Sequence, residues 1–169
     1  MQPDTRLIIS DRKKKIEQIV RKYADMIFRI AYHNLGNSSD AEDILQEVSV
    51  ALVTCNAPLD NEEHLRFWLC RVTINKCRNF RRFSLLHSTE ELTEDILATD
   101  SAPSGVFEEM QKLPKCYRNV LYLYYYEGFS IDEIGKILKK SSNTIGSQLR
   151  RGREKLRIIL IDGGYDEYV

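Results

Sequence analysis

The sequence predicts an all-α protein of two small helical domains joined by an acidic linker. Apolar residues recur at spacings of three and four on both sides of the linker, the period of amphipathic helices. Between them, residues 83–109 carry seven acidic side chains and no lysine or arginine. Two short helices with a tight turn follow near the C-terminus. We expect a bundle of three to four helices over residues 11–83, the linker over 84–105 and a helix-turn-helix domain over 106–161.

Composition narrows the class of protein. The 169 residues are 43% hydrophobic and 30% charged, with a formal net charge of zero. No apolar run approaches the roughly 20 residues that span a bilayer, and the N-terminus lacks the pattern of a signal peptide. The four cysteines form no CxxC pair and lie away from the three histidines, so we expect reduced thiols, no metal or cofactor, and a cytoplasmic location. Phosphate-loop, G-x-S-x-G and HExxH motifs are absent, so no enzyme is predicted.

Apolar periodicity and residues typical of helix ends predict the first two helices. The first is predicted from about Asp11 to Leu35, with Gly36 just past its end. The second is predicted to start at the capping-box pair Ser39 and Glu42 and to run through Val53. Its buried stripe is formed by Ala41, Ile44, Leu45, Val48 and Leu52.

An acidic face lies off that stripe of the second helix. Carboxylates in a first turn complement the helix dipole, so part of the acidity is ordinary. Asp43, Gln46 and Glu47 extend beyond the first turn, and capping does not account for them. The complete acidic face comprises Asp40, Glu42, Asp43, Gln46 and Glu47.

A third helix is predicted from Glu62 to about Arg82, after the loop NAPLDN. One side of it carries Arg71, Asn75, Arg78 and Arg82, at i, i+4, i+7 and i+11. Guanidinium groups with an amide between them suit phosphates and exposed base edges. A solvated basic helix face explains the same spacing equally well.

The C-terminal helix pair indicates a helix-turn-helix. Ser130 and Glu133 form a capping box at the start of its first helix, and Ser141 or Ser142 can cap the second. The second helix is predicted to bury Ile145, Leu149, Gly152, Leu156 and Ile159 and to expose a polar, basic face. Such a helix reads the major groove in DNA-binding proteins. A plain αα-hairpin with a solvated basic face is the simpler alternative. A preceding tyrosine-rich helix, Tyr117–Tyr126, is interpreted as core packing through Tyr117, Val120, Leu121 and Tyr124 rather than as a base-stacking surface.

These segments resemble a known family. DAEDILQEV (residues 40–48) and LRFWLCRVTINKCRNFRR (65–82) are similar to region 2 of bacterial RNA polymerase sigma factors. The segment from Phe107 through the helix-turn-helix is similar to region 4. Their order and spacing fit the extracytoplasmic-function type of the sigma-70 family, which has two small domains. The resemblance covers nearly all of the chain outside the first ten residues, the linker and the last few.

The resemblance implies partners and roles. It implies core RNA polymerase, promoter DNA and an anti-sigma factor as partners, with no membrane insertion. The acidic face would dock on the clamp helices of the β′ subunit, and region 4 would contact the β flap. The loop before the third helix, Leu59 to Leu65, would capture a flipped base of the −10 element. Residues that would bind the −10 region are Leu59, Asp60, Asn61, Arg71, Asn75, Arg78, Asn79 and Arg82. Those that would bind the −35 region are Asn143, Thr144, Ser147, Gln148, Arg150, Arg151 and Arg153.

The chain departs from the family pattern at four positions. A basic residue is usual where Gly146 stands, and arginine is frequent where Gln148 stands. An apolar residue is usual at the turn position of Lys140, and aspartate is common at Asn79. The first two departures remove cationic contacts from the −35 surface. The acidic linker has two interpretations, a soluble tether or a nucleic-acid mimic directed toward the RNA-exit channel.

Two other functions compete with a promoter-specificity subunit. An autonomous helix-turn-helix regulator would use residues 11–82 for dimerisation or ligand binding and would bind a palindromic site alone. It leaves the acidic face and the arginine–asparagine side of the third helix without a role. A sigma-like protein that competes for core polymerase without initiating is the third possibility, suggested by Gly146 and Gln148.

Overall fold

The computed structural model describes residues 5–55, 57–87 and 105–165, and these form seven α-helices. The helices are α1 (Thr5–Leu35), α2 (Ser38–Thr54), α3 (Glu62–His87), α4 (Val106–Gln111), α5 (Lys115–Tyr125), α6 (Ile131–Leu138) and α7 (Ser142–Asp162). The chain divides into two compact units, residues 1–32 with 39–88 and residues 33–38 with 89–169. Within the described ranges, no helix is long and apolar enough to cross a membrane. The all-α prediction is confirmed.

The first unit is held by the apolar stripes of α1, α2 and α3. Ile27, Ile44, Val48, Leu52 and Leu69 are fully excluded from solvent. Burying a side chain of this size contributes about 1.5–3 kcal/mol. The period of three and four places these residues on one side of each helix, so the opposite sides of α2 and α3 remain available for binding.

Helix ends in this unit differ from the predicted ones. The first helix starts at Thr5 rather than near Asp11, and α2 starts at Ser38, so Ser39 lies inside the helix rather than at its cap. The third helix continues past Arg82 to His87. Apolar spacing determines the buried side of a helix but only weakly its last turn, which explains these shifts. The predicted linker lies mostly outside the described residues.

The second unit packs α7 against α4, α5 and α6. Gly152 of α7 allows close approach to α5, because a Cβ there would lie 3.2 Å from Tyr117 Cβ and 3.3 Å from Leu121 Cδ1. One predicted detail is wrong: Tyr122 is buried in place of Tyr124, which is exposed. Pro114 is the N-cap of α5.

The buried side of α7 also shifts slightly from the prediction. Ile145, Leu149 and Gly152 are buried as expected, whereas Leu156 and Ile159 are only half-buried. Leu160 is the buried residue at this end of the helix.

Candidate nucleic-acid interface

The acidic face of α2 is exposed over most of its length. Glu42, Asp43, Gln46 and Glu47 are exposed, and Asp40 is half-buried. Partial burial, followed by repulsion from the Asp43 carboxylate, raises the pKa of Asp40 above its ordinary value. A basic partner can therefore reach the exposed carboxylates of this face.

An ion pair joins this acidic face to α3. The Lys76 Nζ lies 2.9 Å from the Glu47 Oε2, with the lysine side chain 27% exposed and the glutamate 53% exposed. Lys76 immediately follows Asn75 in the candidate DNA-binding helix. Sequence reasoning missed this link because the two residues are 29 positions apart.

The arginine-rich side of α3 is open to solvent. Arg71, Arg78, Asn79 and Arg82 are exposed, and Asn75 between them is half-buried. At 100° per residue, steps of four and three keep a side chain within one narrow stripe of the helix. The arrangement offers guanidinium donors on either side of an amide, groups that are able to bind phosphates and base edges.

The loop before α3, residues 57–61, has ordered backbone contacts. The Leu59 amide donates to the Ala57 carbonyl at 2.9 Å, and the Asn61 amide donates to the Pro58 carbonyl at 3.4 Å. Asn61 also caps α3, since its Oδ1 accepts from the His64 amide at 2.9 Å. Glu62 to Leu65, which the resemblance assigned to the base-capturing element, form the first turn of α3, and α3 begins at Glu62 as the sequence predicts.

Two lysines of α1 reach the start of α3. Lys15 Nζ lies 2.5 Å from Asp60 Oδ1, and Lys22 Nζ lies 2.6 Å from Glu62 Oε1. The Tyr23 hydroxyl donates to the same Glu62 oxygen at 3.0 Å. The hydrogen bond from Lys15 lowers the pKa of Asp60, and that from Lys22 lowers the pKa of Glu62.

The helix-turn-helix forms as predicted. Ser130 and Glu133 make both bonds of a capping box at α6, and Ser141 caps α7 by accepting from the Thr144 amide. Lys139 ends α6 in the left-handed region at φ 57°. Gly135 permits the tight turn, because a Cβ there would lie 2.8 Å from the backbone oxygen of Lys140.

The exposed side of α7 carries most of the predicted DNA-binding residues. Gln148 is half-buried, unlike the other members of the set, and its Oε1 accepts a hydrogen bond from Lys140 Nζ at 3.3 Å. Lys140 thus places a cation beside the position at which Gln148 itself offers none. The fully exposed members of the set are Asn143, Thr144, Ser147, Arg150, Arg151 and Arg153.

Comparison with known proteins defines the class. A sigma-70 region 2 model matches residues 19–84, and a sigma-70 region 4 model matches residues 106–156. The chain is 32% identical to the ECF RNA polymerase sigma factor SigW of Bacillus subtilis, over 85% of this chain and 88% of that protein. It is 31% identical to the ECF RNA polymerase sigma factor SigE of Mycolicibacterium smegmatis, over 83% of this chain and 60% of that protein.

Solved structures show the same fold. The sigma factor RpoE, solved with the anti-sigma factor NepR from Bartonella quintana, matches with a TM-score of 0.68 at 19% identity, over 87% of this chain and 97% of that one. CnrH, solved with the cytosolic domain of CnrY, matches with a TM-score of 0.57 at 22% identity, over 87% and 88%.

A two-unit helical fold with a helix-turn-helix and an arginine-rich helix fits a transcription protein that contacts DNA. The matches to both regions, in order, make the assignment specific. The chain belongs to the extracytoplasmic-function sigma factors of the sigma-70 family, which direct RNA polymerase to promoters. It is therefore not an enzyme, and the family assignment does not favour the autonomous-regulator alternative.

Proposed function

We propose that the first unit docks on core polymerase and holds the melted −10 element, while the second reads the −35 element. The observation that carries this division is the placement of opposite charges on separate helices of one unit. The carboxylates of the acidic face lie on α2, and the arginines of the proposed −10 surface lie on α3. A basic polymerase surface and a DNA strand can thus be bound at the same time.

The acidic face of α2 is the proposed polymerase-binding surface. Asp43 and Glu47 are exposed one turn apart, beside the stripe formed by the buried Ile44 and Val48. Carboxylates on a rigid helix suit recognition by lysine and arginine, through hydrogen bonds strengthened by charge. The β′ clamp helices are the proposed partner, and the β flap is the proposed partner of the second unit.

Exposed groups of residues 59–82 are the proposed −10 surface. Opening a promoter exposes unstacked bases, and unstacking a base requires a few kcal/mol that a shaped pocket can offset. The loop beside the cap residue Asn61 is the proposed pocket. The arginines of α3 are the proposed phosphate contacts, with Asn75 and Asn79 supplying amide groups to base edges.

The exposed side of α7 is the proposed −35 reader. Ser147 is exposed about one turn before the adjacent, exposed Arg150 and Arg151. Arginine pairs bidentately with guanine in the major groove, and each such pair contributes about 1–3 kcal/mol of discrimination. Arg153 and Asn143 are proposed to contact phosphates at the two sides of this surface.

We also propose control by an anti-sigma factor and action in the cytoplasm, where core polymerase is found. The support is fold similarity to RpoE and CnrH, whose structures were solved with NepR and with the cytosolic domain of CnrY.

Run-off transcription tests the proposed function. Core polymerase with this protein should start at defined sites, and the purified protein alone should bind duplex promoters weakly. A protein that binds a palindromic duplex without core would support the autonomous regulator. A protein that binds core but starts no transcript would support the competitor.

A further inference from the structure

Three contacts tie α1 to the entrance of the DNA-binding helix. Lys15 and Lys22 are seven residues apart, so they lie on one side of α1. They reach the two consecutive carboxylates of this entrance, Asp60 at 2.5 Å and Glu62 at 2.6 Å. The Tyr23 hydroxyl gives Glu62 a second donor at 3.0 Å.

The two lysines bracket the residue that caps α3. Asp60 precedes Asn61 and Glu62 follows it, while Asn61 itself is bonded to the His64 amide. The Leu65 amide donates to the Asn61 carbonyl at 2.8 Å, which completes the first turn. The position of the loop relative to α3 is thus held locally. Its position relative to α1 is constrained by the Lys15 contact with Asp60 in the loop and by the Lys22 contact with Glu62 at the start of α3.

We propose that Lys15 and Lys22 are positioning residues for −10 recognition, holding loop 57–61 against α1 in the conformation that accepts a base. This inference rests on the proposed function of the loop. Neither lysine is among the proposed polymerase-binding or DNA-binding residues, and neither needs to touch DNA. They act through Asp60 and Glu62.

Electrostatics gives the lysines a second effect. A DNA strand approaching the loop meets the carboxylates of Asp60 and Glu62, whose side chains are 97% and 65% exposed. An ammonium within 3 Å of each cancels much of that repulsion. The lowered pKa values of both carboxyls agree with this pairing.

A matched set of variants tests the proposal in the full-length protein with core polymerase. The test variant is Lys15→Glu/Lys22→Glu, which breaks both contacts. The control is Lys14→Glu/Arg21→Glu, which makes the same charge change at exposed positions with the same seven-residue spacing. The conservative variant Lys15→Arg/Lys22→Arg keeps both cations.

The first measurement compares the rates of open-complex formation on promoters with an intact and with a base-substituted −10 element. The ratio of the two rates is the preference for the intact element. An exposed ion pair contributes little singly, so we expect the test variant to reduce that preference by roughly three- to tenfold. The control should slow opening on all templates alike and leave the preference unchanged. The arginine variant should behave as the parent.

The second measurement is hydrogen exchange of the Leu59 and Asn61 amides in the protein alone. It should be faster in the test variant and unchanged in the control. If exchange and preference match the control, the lysines do not position the loop and the proposal is overturned. Faster exchange with unchanged preference also overturns it. Failure of the parent protein to open any promoter would instead refute the proposed function.

Discussion

Replacing Gly146 tests whether the side of α7 that carries Gly146 faces DNA. Gly146 lies four residues before Arg150 and seven before Arg153, on the same side of the helix. A Cβ at Gly146 would meet nothing within 4 Å, so a side chain can begin there without a clash. Gly146→Arg restores a cation on this surface, and Gly146→Ala is the matched uncharged control.

The two variants share one effect and differ in another. Replacing glycine inside a helix by alanine or arginine stabilises the helix by about 0.8–1 kcal/mol. A gain of 1 kcal/mol raises the Tm of a 60–100-residue domain by about 4–8 °C. Only Gly146→Arg adds a phosphate contact, which steepens log K against log salt by about 0.9 and multiplies the affinity loss from 50 to 200 mM by about three.

Holoenzyme binding across a salt series separates these effects. Both variants should melt higher than the parent, and only Gly146→Arg should bind promoters more tightly with a steeper salt slope. The gain should persist on a scrambled −35 element, because phosphate contacts carry no base information. If Gly146→Arg and Gly146→Ala show the same slope, this side of α7 does not approach DNA and the proposed orientation of the reader is wrong.

Three other changes address the remaining surfaces. Asp43→Lys/Glu47→Lys should abolish core binding without loss of helicity by circular dichroism; unchanged affinity would remove the docking role of α2. Asn75→Ala should slow opening of duplex promoters and weaken permanganate footprints, with activity on a pre-melted template also reduced because the contact persists after opening. Arg151→Ala should reduce activity on a −35-dependent promoter by about tenfold, the equivalent of about 1.4 kcal/mol, and should have no effect once the −35 element is scrambled.

The helices and their buried sides could be predicted because both depend on local pattern. The capping box at Ser130 and Glu133 and the cap at Ser141 are short-range signals, and the structure contains both. Tyr122 and Tyr124 were less predictable, since neighbouring tyrosines on a helix fit more than one buried side. Tertiary packing decides between them.

Long-range ion pairs could not be predicted from the sequence. Lys15 and Asp60 are 45 residues apart, and no local spacing distinguishes Lys15 from the adjacent Lys14. Which of two neighbouring lysines faces the loop depends on the rotation of α1, which the packing of residues such as Ile16 and Ile19 sets. The apolar stripe therefore determines the polar contacts indirectly, and only the assembled unit shows them.

The distribution of charge argues that polymerase must help this protein to bind DNA. Residues 61–82 hold six basic and two acidic groups, and residues 139–157 hold seven basic groups and one acidic group. Residues 83–109 between them hold seven acidic groups and no lysine or arginine. With a net charge of zero, the whole chain gains no long-range attraction to DNA, and at physiological salt charges act over only about 8 Å. The basic helices can therefore contribute only after another surface has brought them to the promoter. The proposed docking of the acidic face of α2 on polymerase, with α3 toward DNA, would supply the means for that delivery.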